Sequence, residues 1–175
     1  MKGIALTLLA ALLLAAGGVA RGDEGSSVTF KSADGQVQIT MPEGWVQQQS
    51  SNSTAAIEAR NDDYDAFVMV LIEDRDDPYA ALEDYANSRR DEVLSHLVKS
   101  KCSDAESLQV NGFKAIRFEI HGTSAKSQEE FGYFLCIVQM RHHYVEVVSW
   151  SPQKAFADNA AVLKSAVMNV GYNEQ

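Results

Sequence analysis

Apolar and polar residues alternate along most of this chain. Val37, Ile39 and Met41 alternate with Gln36, Gln38 and Thr40, the two-residue period of a half-buried strand. Val28 to Lys31 reads as a short strand before it, and Asp34-Gly35 between them is a turn signal. Pro42-Glu43-Gly44 breaks the pattern, and Trp45 and Val46 lead into a polar stretch, 47–53, read as a loop or a frayed strand. Thr54 to Arg60 places Ala55, Ile57 and Ala59 on one face, and Asn61-Asp62-Asp63-Tyr64 is a turn. From Asp65 to Glu73, Phe67, Met69 and Leu71 lie on one face and Ala66, Val68, Val70 and Ile72 on the other. A strand apolar on both faces is expected to be covered on both.

The period then changes to that of a helix. Asp77-Pro78 supplies an N-cap and a first helical residue. Leu82, Tyr85, Ala86, Val93, Leu94 and Leu97 form the buried stripe of a helix predicted over Pro78–Val98. Glu83 and Asp84 suit its positive end, and Lys99 and Lys101 its negative end. Four strands follow in meander order. Leu108–Val110 ends at the Asn111-Gly112 turn, and Phe113–His121 carries Ile116, Phe118 and Ile120 opposite Arg117, Glu119 and His121. A polar loop, 122–128, precedes Glu130–Met140, apolar on both faces, and Arg141-His142-His143 turns the chain into Tyr144–Trp150. Ser151-Pro152 repeats the cap signal. Phe156, Ala160, Leu163, Val167 and Val170 form the stripe of a second helix, expected to end near Asn169 with Gly171 as its stop. Hairpin links imply an antiparallel sheet. Two amphipathic helices and two-sided strands imply an α+β class, the sheet sandwiched between helices in three layers.

Residues 1–20 stand outside this scheme. Met1-Lys2 is a cationic start, Gly3 to Ala16 is uncharged and apolar, and Gly17-Gly18-Val19-Ala20 offers small residues before a cut after Ala20. That is the pattern of a signal peptide, and the apolar run is shorter than the roughly 20 residues of a spanning helix. The expected organisation is a signal peptide at 1–20, a flexible leader at 21–27 and one domain at 28–175. The expected location is periplasmic or extracellular. No Cys stands near the exit and no later run is long enough to span a bilayer, so no stable membrane anchor is expected. Loss of Lys2 leaves 14 Lys and Arg against 24 Asp and Glu, a net charge of −10. Such a surface repels phosphate backbones, which argues against nucleic-acid binding. Two cysteines, Cys102 and Cys136, leave two readings open: a disulfide, permitted in an oxidising compartment, or two separate small apolar residues.

The Val37–Met41 strand running into Pro42-Glu43-Gly44-Trp45, the Pro78 helix after a two-sided strand, the meander, and the terminal helix opened by Ser151-Pro152 form one ordered set. In this set the chain resembles the PsbP-like family over roughly residues 28–172. That family includes the extrinsic PsbP subunits of the oxygen-evolving complex, Mog-type release factors for the Ran GTPase, and bacterial DcrB-type envelope proteins. The resemblance implies an antiparallel sheet between helices and a binding or accessory role without catalysis. It carries over no site residue, because its members do unrelated work on one scaffold.

Residues able to carry chemistry are few. His142-His143 is the first candidate for a metal, but His121 belongs to the opposite end of a hairpin, ~25 Å away at the rise of a strand, and His96 sits on a helix. Polar turn residues is the favoured reading of the pair. The acidic runs Asp62-Asp63-Tyr64-Asp65 and Glu73-Asp74-Arg75-Asp76-Asp77 lack the ordered oxygens of a calcium loop and read as a turn and a helix start. No Gly-x-Ser-x-Gly, Cys-x-x-Cys or Gly-rich phosphate loop is present. Glu129-Glu130 reads as solvated, and so does Arg89-Arg90, with a basic spot for a partner's carboxylate as the alternative. Trp45, Tyr64 and Trp150 are candidate surface aromatics, with core packing favoured for Trp150. No catalytic, cofactor-binding or metal-binding residue is assigned, and no cofactor is expected. The expected function is that of a non-catalytic exported binding or accessory protein that contacts another protein. The alternatives are a carrier of a small apolar ligand between sheet and helix, and then a hydrolase.

Overall fold

A computed structural model describes residues 26–49, 54–75 and 81–172. The expected signal peptide at 1–20 and most of the expected leader at 21–27 lie outside these residues. The chain begins with the hairpin of β1 (Ser27–Lys31) and β2 (Val37–Pro42), and Gly35 takes the positive φ of +72° that its turn needs. Val37, Ile39 and Met41 are all buried, as their alternation predicts. These strands do not join the main sheet. The last strand, β11 (Val170–Tyr172), pairs with β2 and completes a three-stranded sheet, β1-β2-β11. Gly171 is therefore a strand residue opposite Gln38 and not a helix stop.

The main sheet has eight strands. β3 (Val46–Gln47), β4 (Ala55–Asn61) and β5 (Ala66–Asp74) form one side of it. The predicted meander appears as β7 (Glu106–Val110), β8 (Phe113–Ser124), β9 (Glu130–Gln139) and β10 (His143–Pro152), each pairing antiparallel with the next. β10 then pairs with β5, which fuses the two halves of the chain into one sheet. The Asn111-Gly112 turn takes positive φ at both residues, +49° and +87°, as a two-residue hairpin requires.

Two helices depart from their predicted limits. α1 runs over Leu82–Ser95, and Asp77 and Pro78 lie outside the described residues. It ends before Val98 because the next residues pair with the end of β8 as strand β6 (Leu97–Cys102). Lys99 and Lys101 thus sit on a sheet edge and do not cap a helix dipole. α2 runs over Gln153–Ala166. Ser151 and Pro152 are the last residues of β10; Pro152 occupies the N-cap position, and the buried Ser151 hydroxyl makes no cap bond.

The helices lie on opposite faces. Leu82 and Ala86 of α1 pack on Ile116, Phe118, Ile120, Leu135, Ile137 and Tyr144. α2 and the three-stranded sheet cover the other face, where Phe156, Leu163, Val37 and Ile39 meet Val68, Val70, Cys136 and Val147. The class is α+β in three layers, as the pattern predicts. One expectation fails: β5 is not equally covered on both sides. Ala66, Val68 and Val70 are buried under the α2 layer, whereas Phe67, Met69 and Leu71 are only half-buried. α1 lies mainly across β6, β8 and β9 and reaches β10 at Tyr144 and Glu146, which leaves Val148 and Trp150 of β10 and Phe67, Met69 and Leu71 of β5 half-open on its side.

Candidate binding cleft

The α1 side of the sheet is laid out in regular rows. Strand register sets Phe67, Trp150 and Tyr133 in one row and Met69, Val148 and Leu135 in the next. Leu71, Glu146 and Ile137 form the third. The Phe67 and Trp150 rings stack at 5.4 Å between centroids and 14° between planes. α1 and the residues after it raise one wall, with Arg89, Glu92, Val93, His96 and Leu97, and Ser124, Lys126 and Ser127 of the β8–β9 turn close one end. The cleft so formed holds about 690 Å³. Its apolar floor has the size and composition of a small-molecule or side-chain receptor site.

One charged pair interrupts that floor. Glu146 is the lone charged residue between Tyr144 and Trp150, and it is buried. Arg89 Nε donates to Glu146 Oε2 at 2.6 Å, and Arg89 Nη1 bonds Glu92 on its own helix. Burial pushes the Glu146 carboxyl above the usual carboxylate range, and the Arg89 bond pulls it partly back. Burial works against the Arg89 charge, but the Glu146 and Glu92 carboxylates outweigh it and hold the guanidinium above its usual value. Beyond the pair lies a smaller recess of about 330 Å³, bordered by Thr54, Ile72, Glu73 and Tyr85. There Tyr85 donates to Glu73 Oε2 at 2.5 Å and stacks on Tyr144 at 3.9 Å. Burial, then the Glu73 bond, raise the Tyr85 phenol. A second buried carboxylate, Glu58, stands beside Met69 and accepts a bond of 2.6 Å from Gln48 Nε2.

The sequence candidates distribute as follows. His142 is exposed in the β9–β10 turn, and His143 Nδ1 lies 3.0 Å from Asp74 Oδ1 at an angle poor for a hydrogen bond. His121 is at the far end of β9, opposite Gly132, bonded to Gln153 and Glu119. Among the described residues no group of three His, Cys, Asp or Glu side chains is placed to hold a metal ion. In the first acidic run, Asn61 Oδ1 accepts from the Asp63 and Tyr64 amides, which closes the β4–β5 turn. In the second, Asp76 and Asp77 lie outside the described residues. Glu129 and Glu130 are exposed. Arg89 is not the solvated residue expected, because Glu146 rises from the sheet to meet it. Arg90 lies over the Phe118 ring at 5.5 Å. Trp45 is core, Tyr64 is exposed, and Trp150 is half-buried on the cleft floor. Cys136 is buried on the α2 side, while Cys102 pairs with Ile120 on the α1 side; both are free. Sequence reasoning missed Glu146, although a single carboxylate in an apolar strand run was a visible signal.

No family model matches this sequence, and no curated protein matches it. Solved structures do. Cyanobacterial PsbP, CyanoP, from Synechocystis sp. PCC 6803 is similar at a TM-score of 0.65 and 13% identity, over 92% of this chain and 99% of that one. The chain has the PsbP-like fold. The yeast Ran-binding protein Mog1p, from Saccharomyces cerevisiae, is similar at 0.60 and 11% identity, over 85% and 96%. LpqN of Mycobacterium tuberculosis, involved in cell envelope biogenesis, is similar at 0.56 and 14%, over 88% of each chain. In this PsbP-like chain the Pro42-to-Trp45 segment turns at Gly44, φ +94°, and seats Trp45 in the core. Among the described residues no helix is long and apolar enough to cross a membrane.

Proposed function

We propose that this chain is an exported, non-catalytic binding protein that receives a partner protein on the cleft beside α1. The observation that carries the reading is the half-open floor of Met69, Tyr133, Val148 and Trp150 next to Arg89 and the buried Glu146. Trp, Tyr, Met and Arg on one concave surface is the composition of interface centres. Arg89 already engages Glu146 and Glu92, so the pair shapes the cleft wall. The similar structure Mog1p is itself a Ran-binding protein. The leader pattern of residues 1–20 supports export, and the mature N-terminus expected is Arg21.

Photo-cross-linkers placed at Met69 and Val148 in the native host test this, with Asp158 on the exposed side of α2 as control. The reading expects one protein adduct at both cleft positions and none at the control. Adducts at the control alone would end it. N-terminal sequencing that finds Met1 on the extracytoplasmic protein would end the export part. A second reading, a carrier of a small apolar ligand, draws on the volume of about 690 Å³, within the usual range for such ligands. A stoichiometric small molecule in native mass spectra, lost on Val148→Glu, would favour it over the first.

A further inference from the structure

A separate recess of about 390 Å³ lies where β6 and β8 meet the start of α2. It shares no lining residue with the cleft. Lys99, Lys101, His121, Thr123, Glu130 and Gln153 line it. A bulge in β6 builds this cluster. Val98 pairs with Thr123 and Lys101 with His121, so Lys99 and Ser100 together stand against Gly122 alone. Lys99 takes φ +53°, a left-handed conformation that residues with a side chain rarely adopt. The extra residue reverses the alternation of side chains. Leu97 packs toward α1, and in an unbroken strand Lys99 and Lys101 would share its face. With the bulge, Cys102 faces α1 beside Ile120, and Lys101 turns to the α2 side beside His121.

The polar groups there are arranged as donors. Among the described residues neither Lys99 nor Lys101 belongs to an ion pair. The chain carries a net charge of −9, so two unpaired ammonium groups converging on one recess are against its general trend. His121 Nδ1 lies 2.7 Å from Gln153 Oε1 and its Nε2 lies 2.9 Å from Glu119 Oε1, while the ring stands edge-on to Phe156 at 4.9 Å. Both contacts are donated by the ring only when its two nitrogens each carry a proton; in that form the Gln153 oxygen accepts and its amide NH₂ is left to donate to a ligand. Glu130 is the one carboxylate on the lining, and it is exposed and so screened by salt.

We propose that this recess binds a phosphate- or sulfate-type oxyanion. Lys99 and Lys101 supply the charge, the Thr123 hydroxyl and Gln153 amide supply direction, and His121 positions Gln153. The anion is either a soluble phosphorylated or sulfated molecule or the phosphate of a lipid headgroup.

The test follows amide chemical shifts by NMR on the mature chain during titration with inorganic phosphate, with sodium chloride at matched ionic strength as reference. Saturable shifts at Lys99, Lys101, Thr123 and Gln153 are expected with phosphate and not with chloride. The double variant Lys99→Gln/Lys101→Gln should weaken binding by at least about tenfold, while Lys114→Gln leaves it unchanged. Both lysines are exposed, so an unperturbed spectrum elsewhere will show that the variant is folded. Co-sedimentation with phosphatidic acid in phosphatidylcholine, but not with phosphatidylcholine alone, would assign the anion to a lipid. Phosphate shifts without co-sedimentation would assign it to a soluble ligand. Equal shifts with chloride, or full binding by the double variant, would overturn the proposal and leave the bulge as protection of a sheet edge against pairing.

Discussion

Arg89 Nε meets Glu146 Oε2 at 2.6 Å, and this bond ties α1 to the middle of the eight-stranded sheet. Glu146 is 4% exposed, between Leu71 and Ile137. Removing its partner leaves a buried carboxylate unpaired. Arg89→Leu should therefore cost about 3 kcal/mol at neutral pH, the low end for a buried pair because Arg89 itself is partly exposed. The cost should shrink in acid, where Glu146 takes up a proton. Urea unfolding at neutral and acid pH measures both, and a loss below about 1 kcal/mol would mean that water reaches the carboxylate.

Two carboxylates of this fold should respond to pH with opposite signs. Burial holds Glu146 above its ordinary value of 4.5, so its contribution to stability is full below that value and is lost as pH rises through the raised one. The Arg117 bond holds Glu106 below the same ordinary value, so its contribution is present above 4.5 and is lost as pH falls through the lowered one. From about pH 2 to about pH 8, a window that spans both the lowered and the raised value, Glu146→Gln should gain on the parent in melting temperature, whereas Glu106→Gln should fall behind it. Parallel trends for the two variants would contradict the burial difference between them.

Phe156 of α2 lies directly on the backbone of β9 at Gly132. A Cβ there would come within 2.3 Å of the Phe156 ring, closer than packed carbons allow. Gly132→Ala should cost about 1–3 kcal/mol by overpacking. Adding Phe156→Leu to Gly132→Ala should recover part of that loss, although Phe156→Leu alone destabilises. Thermal melts of the three variants decide this, and additive losses would show that the two residues do not touch.

The two thiols should behave independently. Burial pushes the Cys136 thiol up to about 12, and it also raises the exposed Cys102 to a lesser degree. A neutral alkylating reagent should label Cys102 alone in the native protein and both residues in denaturant. Mild oxidation should form no internal bridge, since the side chains point to opposite faces of the sheet. An intramolecular disulfide in the mass spectrum of the folded chain would refute that placement.

The elements themselves were legible in the chain. Alternation at Val37–Met41, the Asn111-Gly112 turn, the meander and the stripe Phe156–Val167 each name a local conformation, because side-chain period and turn chemistry act over a few residues. Three local signals misled. Ser151-Pro152 looked like a cap but ends β10, Gly171 looked like a stop but pairs with Gln38, and Leu97 and Val98 continued a helical pattern but pair with β8. In each case hydrogen bonds to a distant strand outweighed a local preference. The site was not legible, for a related reason. Met69 is read as covered from its two-sided strand, and only the lateral position of α1, mainly over β6, β8 and β9, leaves it and Val148 half-open. Arg89 and Glu146 stand 57 residues apart, and no period within either element states that they meet. Sequence by itself determined which stretches bury a face. Tertiary structure decided how far each face is covered, because one 14-residue helix is too narrow to cover an eight-stranded sheet.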